Sequence, residues 1–387
     1  MVPGRGTPGG PPSVSPGTRG NLHSSGETSA EECRHCLYGA ILAGSQAAQG
    51  ATPFSTGAEL TGFPATGRGQ MTRMMIPMTD PRRGRIMLRK QLIADGYTDR
   101  AIANRVKGGD WVKIRHGAYT ESATWNALDR AGRHALVARA VVAQSRTKVV
   151  VSHASGLPLI GAPTWGINLD LVHVTRLDGK GGRSEAGVSQ HSGAILKGDV
   201  LECDGLMVMS PTRQALEVTT VADVEASICV ISHLLHEGKT TMEQLRARYE
   251  SMQQWPETLR TDLALRLSDP RFESIGECRS YYLCFHEGLP MPIPQYEIRD
   301  ETGRVVARVD FAWPALGVFL EFDGKVKYEK LLKEGQRASD VVVAEKKRES
   351  MICRLTGWRC IRITWADLAD PVRTAAMIRR ALSARAA

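Results

Sequence analysis

A change of composition near residue 70 constrains the fold more than any other feature of this 387-residue sequence. The first 70 residues contain 14 of the 38 glycines and 7 of the 19 prolines, and they begin MVPGRGTPGGPPSVSPGTRG. Such a segment has too little apolar surface to offset the conformational entropy that folding removes. We therefore expect residues 1–76 to be disordered and of low complexity, and we expect the folded core to lie in the remainder of the chain.

The net charge of +9 is concentrated in two short windows. Residues 1–70 are neutral, with four arginines and four glutamates, whereas residues 81–120 carry +7 and residues 341–387 carry +6. These two windows together hold +13, so the rest of the chain sums to −4. Two basic modules on a neutral or acidic background favour an anionic partner, and the charge alone does not indicate which one.

Neither a membrane span nor a secretion signal is expected. No apolar run approaches the ~18 residues of a spanning helix, and the apolar run at 37–42 is short and interrupted by Gly39. Cys33 and Cys36 resemble half of a zinc site, but the next cysteine is Cys203 and no second pair follows at zinc-finger spacing. We therefore expect a cytoplasmic protein with reduced cysteines and no membrane partner.

Residues 81–120 have the order helix, turn, helix, basic ribbon. Hydrophobic spacing from Ile86 predicts a first helix that ends at Gly96, and Thr98 predicts the N-cap of a second helix that ends at Gly108. This is the order of a winged helix-turn-helix, whose second helix enters a major groove while cations of the ribbon meet phosphate. The alternative is a solvated basic face on an ordinary helical unit. The candidate DNA contacts are Thr98, Arg100, Arg105, Lys107, Lys113 and Arg115.

Three segments between residues 81 and 245 share motifs with one family. They read ADGYTDRAIANRVKGGDWVKIRHGAY (94–119), VVVSHASGLPLIG (149–161) and GLMVMSPTRQALEV (205–218). In these segments the chain resembles the AbiEi family of antitoxins from abortive-infection systems. The resemblance implies operator binding and pairing with a nucleotidyltransferase toxin. Two departures are a preceding helix that is not evident here and Glu217, which stands where such proteins often carry Asp.

Residues 121–270 are predicted to form a mixed α/β region. The expected helices and strands are 134–144, 149–151, 169–174, 223–236 and most of 241–267. Ser152, His153 and Ser155 suggest a nucleophile and a base, but no G-x-S-x-G motif surrounds them and no partner carboxylate is identifiable. We therefore expect a scaffold or an interaction region here.

Residues 271–387 have the order helix, strands, helix, strand, helix, which predicts an α/β core with a mixed sheet. The expected elements are helices over 274–288, 339–355 and from 371, and strands over 305–311, 318–323 and 359–365. The two-residue period of a strand places Phe319, Glu321 and Asp323 on one face of the second strand. Acids on an otherwise apolar strand are costly unless a positive group meets them.

A divalent cation is the positive group that we expect. Asp310 converges with Glu321 and Asp323 if the two strands form a hairpin, and three carboxylates match the oxygen ligands that Mg²⁺ prefers. Such a site would activate water and offset charge on a scissile phosphate. Two simpler interpretations stay open, because Asp323 also fits a turn and Glu277, three residues after Ser274, also fits a capping box.

The same region carries a longer pattern of motifs. It contains VDF at 309–311, EFDG at 321–324 and EKKR at 345–348, followed by GWRCIRITW. In this pattern residues 272–384 resemble the PD-(D/E)XK nuclease superfamily, and within it the small domains related to very-short-patch-repair endonucleases. The EKKR motif also fits a solvated helix face.

That resemblance implies a metal site and its supporting residues. Asp310 and Glu321 would bind Mg²⁺ or Mn²⁺, and Glu277 would assist from the first helix. The lysine of the superfamily is expected two residues after Glu321, where Asp323 stands. Lys325 or Lys346 would have to supply the missing ammonium group. Otherwise the resemblance implies an inactive domain. The catalytic candidates are Glu277, Asp310, Glu321, Asp323, Lys325 and Lys346, and the candidate metal ligands are Asp310, Glu321 and Asp323.

The sequence therefore predicts a DNA-binding protein with a magnesium-dependent endonuclease-like domain, in phage defence or a toxin–antitoxin-like system. The alternative is a non-enzymatic antitoxin and repressor whose nuclease fold is inactive.

Overall fold

Three β-sheets, each accompanied by helices, make up the described part of the chain. The computed structural model describes residues 73–74, 80–180, 182, 184–252, 255, 258–324 and 338–384. The segment 1–76 lies outside these ranges apart from a short strand, β1 (Arg73–Met74). Cys33, Cys36 and Lys325 also lie outside them. The predicted mixed α/β class is confirmed.

The three-stranded sheet belongs to the first basic window. Its elements are β2 (Met87–Leu88), α1 (Arg89–Ala94), α2 (Asp99–Lys107), β3 (Trp111–Arg115) and β4 (Ala118–Glu121). The strands are antiparallel in the order β2-β4-β3. The first helix begins three residues later than the spacing from Ile86 predicted, because Met87 and Leu88 are extended and pair with β4.

The second helix of this unit begins where the sequence predicted. Thr98 is its N-cap, since the Thr98 Oγ1 atom accepts a hydrogen bond from the Ala101 N–H at 3.2 Å. Met87, Leu92 and Ile102 are buried together and hold the sheet against both helices.

The middle of the chain forms a seven-stranded sheet in the order β1-β9-β10-β5-β6-β8-β7. Its further strands are β5 (Val149–Val151), β6 (Val172–Arg176), β7 (Ser184–Glu185), β8 (Val188–His191), β9 (Val200–Cys203) and β10 (Leu206–Met209). The helices are α3 (Ser122–Asn126), α4 (Arg130–Gln144), α5 (His153–Gly156), α6 (Pro211–Val218), α7 (Val224–His236), α8 (Met242–Glu250) and α9 (Leu259–Leu267). The prediction that most of 241–267 is helical is confirmed, and the helical residues form two helices, α8 and α9.

The last third of the chain forms a four-stranded sheet in the order β11-β12-β13-β14. Its elements are α10 (Ile275–His286), β11 (Ile293–Arg299), β12 (Val305–Trp313), β13 (Val318–Asp323), α11 (Ala338–Thr356), β14 (Arg359–Thr364), α12 (Trp365–Leu368) and α13 (Pro371–Ser383). The first three strands are antiparallel, whereas β13 and β14 are parallel and are connected through α11. Strand β11 was not predicted.

One apolar core runs from the seven-stranded sheet to the four-stranded sheet. Helix α7 packs against α9 and α10, and the core includes Ile231, Leu283 and Leu320. The opposite face of the four-stranded sheet packs against α11, where Ile352 and Phe319 share a separate small core. Side chains that alternate with Leu320 along β13 therefore point towards α11.

None of the described helices is both long and apolar enough to cross a membrane. The six cysteines in the described part of the chain are free thiols, and four of them are buried.

Candidate functional site

The pairing of β12 with β13 brings two of the predicted carboxylates together. The two strands pair Phe311 with Leu320, so Asp310 and Glu321 are the next residues along each strand. The N–H of Phe322 donates a hydrogen bond to Asp310 Oδ2 at 2.8 Å. The hairpin expected from the sequence therefore forms, and it sets the carboxylate of Asp310 against the backbone of β13.

Glu321 is buried, at 7% exposure, beside a positive partner from α11. Arg348 Nη1 lies 3.0 Å from Glu321 Oε1, and Arg348 Nη2 donates to the carbonyl oxygen of Arg308 on β12. Burial raises the pKa of Glu321, and the charges of Arg348 and Arg362 oppose that rise. Arg348 thus supplies the positive charge that a buried glutamate requires.

A second arginine, Arg362 on β14, lies among several acids. It is the register partner of Glu321, and it pairs with Glu345 at 2.6 Å and with Glu349 at 2.8 Å. It also lies 3.9 Å from Glu321 Oε2 and 3.9 Å from Asp323 Oδ2. The face of the sheet that packs on α11 is therefore rich in carboxylate oxygens around Arg362.

Among the described residues, the cations beside Glu321 are two arginines, Arg348 and Arg362. Lys346 is exposed on α11, and Lys325 lies outside the described residues. The helical period explains the difference, because Glu345, Arg348 and Ile352 share the face of α11 that packs on the sheet. Spacing from Ile352 was the signal that would have singled out Arg348 in the sequence.

The carboxylates do not form a closed metal cage. Within the described ranges, no three His, Cys, Asp or Glu side chains are arranged so that they could hold a metal ion together. Asp310 and Glu321 are a pair of oxygen donors, and Asp323 lies at the end of β13.

Ser274 caps the start of α10, and Glu277 accepts from the backbone of Glu273 rather than from the Ser274 N–H that a capping box uses. Ser274 Oγ accepts from the Glu277 N–H at 3.2 Å and donates to Glu277 Oε1 at 2.7 Å. Glu277 Oε2 accepts from the Glu273 N–H at 3.0 Å and from Gln295 Nε2 at 2.7 Å. These bonds account for a carboxylate that is only 2% exposed, so a role at the metal site stays a prediction for Glu277.

The candidate DNA contacts differ in whether an acidic side chain already pairs with them. Arg100, Lys107 and Lys113 are exposed. Arg105 is exposed as well, but its guanidinium pairs with Asp110 at 2.8 Å.

Arg115 differs in position from Lys113, the other basic residue of β3. The register of β3 against β4 shifts between Lys113 and Arg115, and such a bulge redirects the side chains that follow it. Arg115 is half-buried and lines a cleft beside α4.

Ser152 and His153 belong to a buried polar network in the middle sheet. His153 Nδ1 lies 3.0 Å from Ser152 Oγ and 3.5 Å from Glu217 Oε2, so one ring nitrogen faces both partners. A serine–histidine–acid relay needs the serine and the acid on different ring nitrogens. All three side chains are buried. Glu217 is the carboxylate that the sequence did not reveal, because it lies 64 residues along the chain from His153.

Three more histidines extend this network, which also includes Thr175 and Arg213. The rings of His153 and His191 stack with centroids 3.7 Å apart, and those of His173 and His191 are 5.1 Å apart. Burial lowers the pKa of His173 to about 4. His134 Nε2 lies 2.7 Å from Ser155 Oγ, and burial lowers its pKa to about 4 as well. The network is therefore neutral at its histidines near pH 7.

Comparison with protein-family models and with curated proteins gives no match for this chain.

Proposed function

We propose that this chain binds DNA and that residues 271–387 are a PD-(D/E)XK-like domain that hydrolyses phosphodiesters with Mg²⁺ or Mn²⁺. The observation that carries the proposal is the register of β12 and β13, which brings Asp310 beside Glu321. The order helix, three antiparallel strands, helix, parallel strand supports it. This order also agrees with the superfamily that the sequence motifs resemble.

The carboxylate oxygens of Asp310, Glu321 and Asp323 suit a hard divalent cation. Mg²⁺ is usually held by one or two carboxylates, with water and substrate phosphate completing its coordination. Asp310 and Glu321 would provide the two carboxylates, with Asp323 at the strand end beside them. When bound, the cation would lower the pKa of a water molecule and offset charge on the phosphate.

An arginine of the site, Arg348, would bind the phosphate of the substrate. A guanidinium binds phosphate oxygens in a forked, charge-assisted arrangement. Arg348 is 39% exposed, so its guanidinium is accessible while it pairs with Glu321. Lys346, exposed on the same helix, is a further candidate for this role, as Lys325 is from the sequence.

The first basic window would bind DNA as a winged helix. Helix α2 carries Arg100 and Lys107 on its exposed surface, and Lys113 follows on β3. A helix of this kind fits the major groove, and cations on the adjoining hairpin meet phosphate.

A setting in phage defence or a toxin–antitoxin-like system, with a nucleotidyltransferase toxin as partner, rests on the AbiEi resemblance.

A second candidate function is a non-enzymatic antitoxin and repressor. The specific observation that favours it is the pair of Arg348 with Glu321 at 3.0 Å, together with Asp323 in the position of the superfamily's lysine. In this alternative Arg348 is a permanent counter-ion, and the carboxylates serve stability only.

Cleavage assays distinguish the two functions. Purified protein is incubated with plasmid and with single- and double-stranded oligonucleotides, with and without Mg²⁺ or Mn²⁺. We expect metal-dependent cleavage that Asp310→Ala and Glu321→Ala abolish and that Glu297→Ala, which removes an exposed acid of the same sheet, leaves unchanged. No cleavage of any substrate, or equal cleavage by all variants, would favour the non-enzymatic function.

A further inference from the structure

A cleft lies where the three-stranded sheet meets α4 and the edge of the seven-stranded sheet. It has a volume of about 360 Å³, within the usual range for small-molecule sites. We call it the β3–α4 cleft. It is lined by Ile114 and Arg115 from β3, by Arg130, Arg133 and Val137 from α4, and by Leu169 before β6, among others.

The cleft has an excess of positive charge. Three arginines line it, namely Arg115, Arg130 and Arg133, and Asp170 is the one acid among its described lining residues. Arg130 meets Asp170 at 3.3 Å, with both side chains at least 70% exposed. A pair this exposed contributes little energy and opens easily. The lining therefore presents two more positive charges than negative ones.

Arg115 has no acidic partner in the described part of the chain. Its side chain is half-buried, and burial lowers the pKa of its guanidinium. A partly buried charge is costly unless it is paired. The guanidinium of Arg115 would thus gain from an anion in solution.

The remaining wall of the cleft is apolar or aromatic. Val137 and Leu169 line it together with Ile114. Trp125 also lines it, and the guanidinium of Arg133 lies over its ring at 5.2 Å. A ligand that pairs with Arg115 would rest its remaining surface on these side chains, so an inorganic anion would use only part of the cleft.

We propose that the β3–α4 cleft binds a small organic anion that carries an apolar or aromatic group. Its acidic group pairs with Arg115 and Arg130, and its apolar group packs on Val137 and Leu169. Because β3 belongs to the three-stranded sheet and α4 to the middle region, such a ligand bridges the two.

Isothermal titration of the full chain tests the proposal with three probes. Phenyl phosphate carries both an acid and a ring, inorganic phosphate carries the acid alone, and benzyl alcohol carries the ring alone. We expect one-site binding of phenyl phosphate with a Kd below about 1 mM, at least tenfold tighter than either of the other probes. Arg115→Gln should weaken it at least tenfold, and Arg146→Gln, which alters an exposed arginine outside the cleft, should not.

A second variant distinguishes the contribution of cleft volume from that of the arginine charges. Val137→Phe fills the cleft while all three arginines remain, and it should also weaken phenyl phosphate at least tenfold. Thermal melting of each variant checks that the fold is retained.

Two results would overturn the proposal. One is the absence of saturable binding of phenyl phosphate to the wild-type protein. The other is equal binding by the wild type and both cleft variants. Loss of DNA affinity in Arg115→Gln without any probe binding would instead make Arg115 a DNA contact, as the sequence predicted.

Discussion

Arg348 is the residue that sets the electrostatics of the carboxylate pair. Glu321 is 7% exposed, and among the described residues its second cationic neighbour is Arg362, at 3.9 Å. Truncation of Arg348 would leave a buried carboxylate with a weakened counter-charge, which costs free energy even where the original pair contributed little.

We expect Arg348→Ala to lower the free energy of unfolding by about 1–3 kcal/mol. Lys347→Ala, at an exposed position next to it on α11, should change that free energy by less than about 0.5 kcal/mol. Glu321→Gln removes the buried charge, so the double variant should lose less stability than the two single variants lose in sum. Urea unfolding at pH 7 measures the wild type and the four variants. Equal losses for Arg348→Ala and Lys347→Ala would contradict this account of the pair.

Asp310 and Glu321 could be predicted from the sequence, whereas Arg348 was not singled out. The two acids interrupt apolar strands, and that conflict is visible in the sequence without any knowledge of packing. Arg348 stands in a run of five charged residues, 345–349, and its role depends on which face of α11 meets the sheet. Only the position of Ile352 relative to that run carried this information.

At the scale of elements, α2 illustrates a helix whose start is fixed by one side chain. Thr98 Oγ1 accepts the Ala101 N–H at 3.2 Å, and Asp99 adds a negative charge to the first turn. Both features could be predicted from the sequence.

The cap of α2 gives a direct prediction for stability. Thr98→Ala should lower the free energy of unfolding by about 1 kcal/mol, because the Ala101 N–H loses its acceptor. Thr98→Ser keeps the hydroxyl and should retain most of that stability. Thermal unfolding of the two variants compares them, and an alanine variant as stable as the serine variant would show that this cap does not contribute.

Strand β11 shows why one element of the four-stranded sheet was missed. Its sequence, IPQYEIR, has a proline in second position, and another proline precedes it at position 292. Proline normally argues against a strand, but it is tolerated at a sheet edge. β11 is the edge strand of its sheet, so only its place in the sheet explains why this sequence is extended.

At the scale of the whole molecule, the middle sheet was the least predictable part. Its strands are two to five residues long, too short for a hydrophobic period to emerge from the sequence. Their pairing joins segments that are far apart in the chain, such as β5 with β10. The order of such a sheet is set by tertiary packing, which a single sequence does not display.

The proposed DNA interface predicts a change in salt dependence. Substituting Arg100, Lys107 and Lys113 with Gln should weaken DNA binding and lower the slope of log affinity against log salt by about 0.9 for each phosphate that is no longer neutralised. Arg246→Gln alters an exposed arginine of α8 and serves as the matched control. Binding titrations at several salt concentrations measure the slopes. A slope unchanged in the triple variant would mean that DNA docks elsewhere.

The buried histidines predict acid sensitivity of the middle region. The pKa of His134 and that of His173 are each lowered to about 4 in the folded protein, below the ordinary value of about 6.5. Between these values the unfolded chain binds more protons, so stability is present above about pH 6.5 and is lost as the pH falls towards 4, by at most about 1.4 kcal/mol per pH unit for each histidine.

Unfolding measured from pH 7.5 to pH 4.5 tests this dependence. His173→Gln should flatten the loss of stability on acidification, whatever its effect at neutral pH. His116→Gln, at an exposed position, should leave the pH dependence as it is in the wild type. A slope that His173→Gln does not alter would assign the acid sensitivity to other groups.

The most direct test of the metal-dependent nuclease is a chelation and re-addition experiment on DNA cleavage. Wild-type protein is first treated with a chelator and is then titrated with Mn²⁺ in the presence of plasmid, beside Asp310→Ala. The account predicts that chelation stops cleavage by the wild type, that Mn²⁺ restores it, and that Asp310→Ala stays inactive at every Mn²⁺ concentration. Cleavage that survives chelation, cleavage that Asp310→Ala retains, or no cleavage by the wild type at any Mn²⁺ concentration would contradict it.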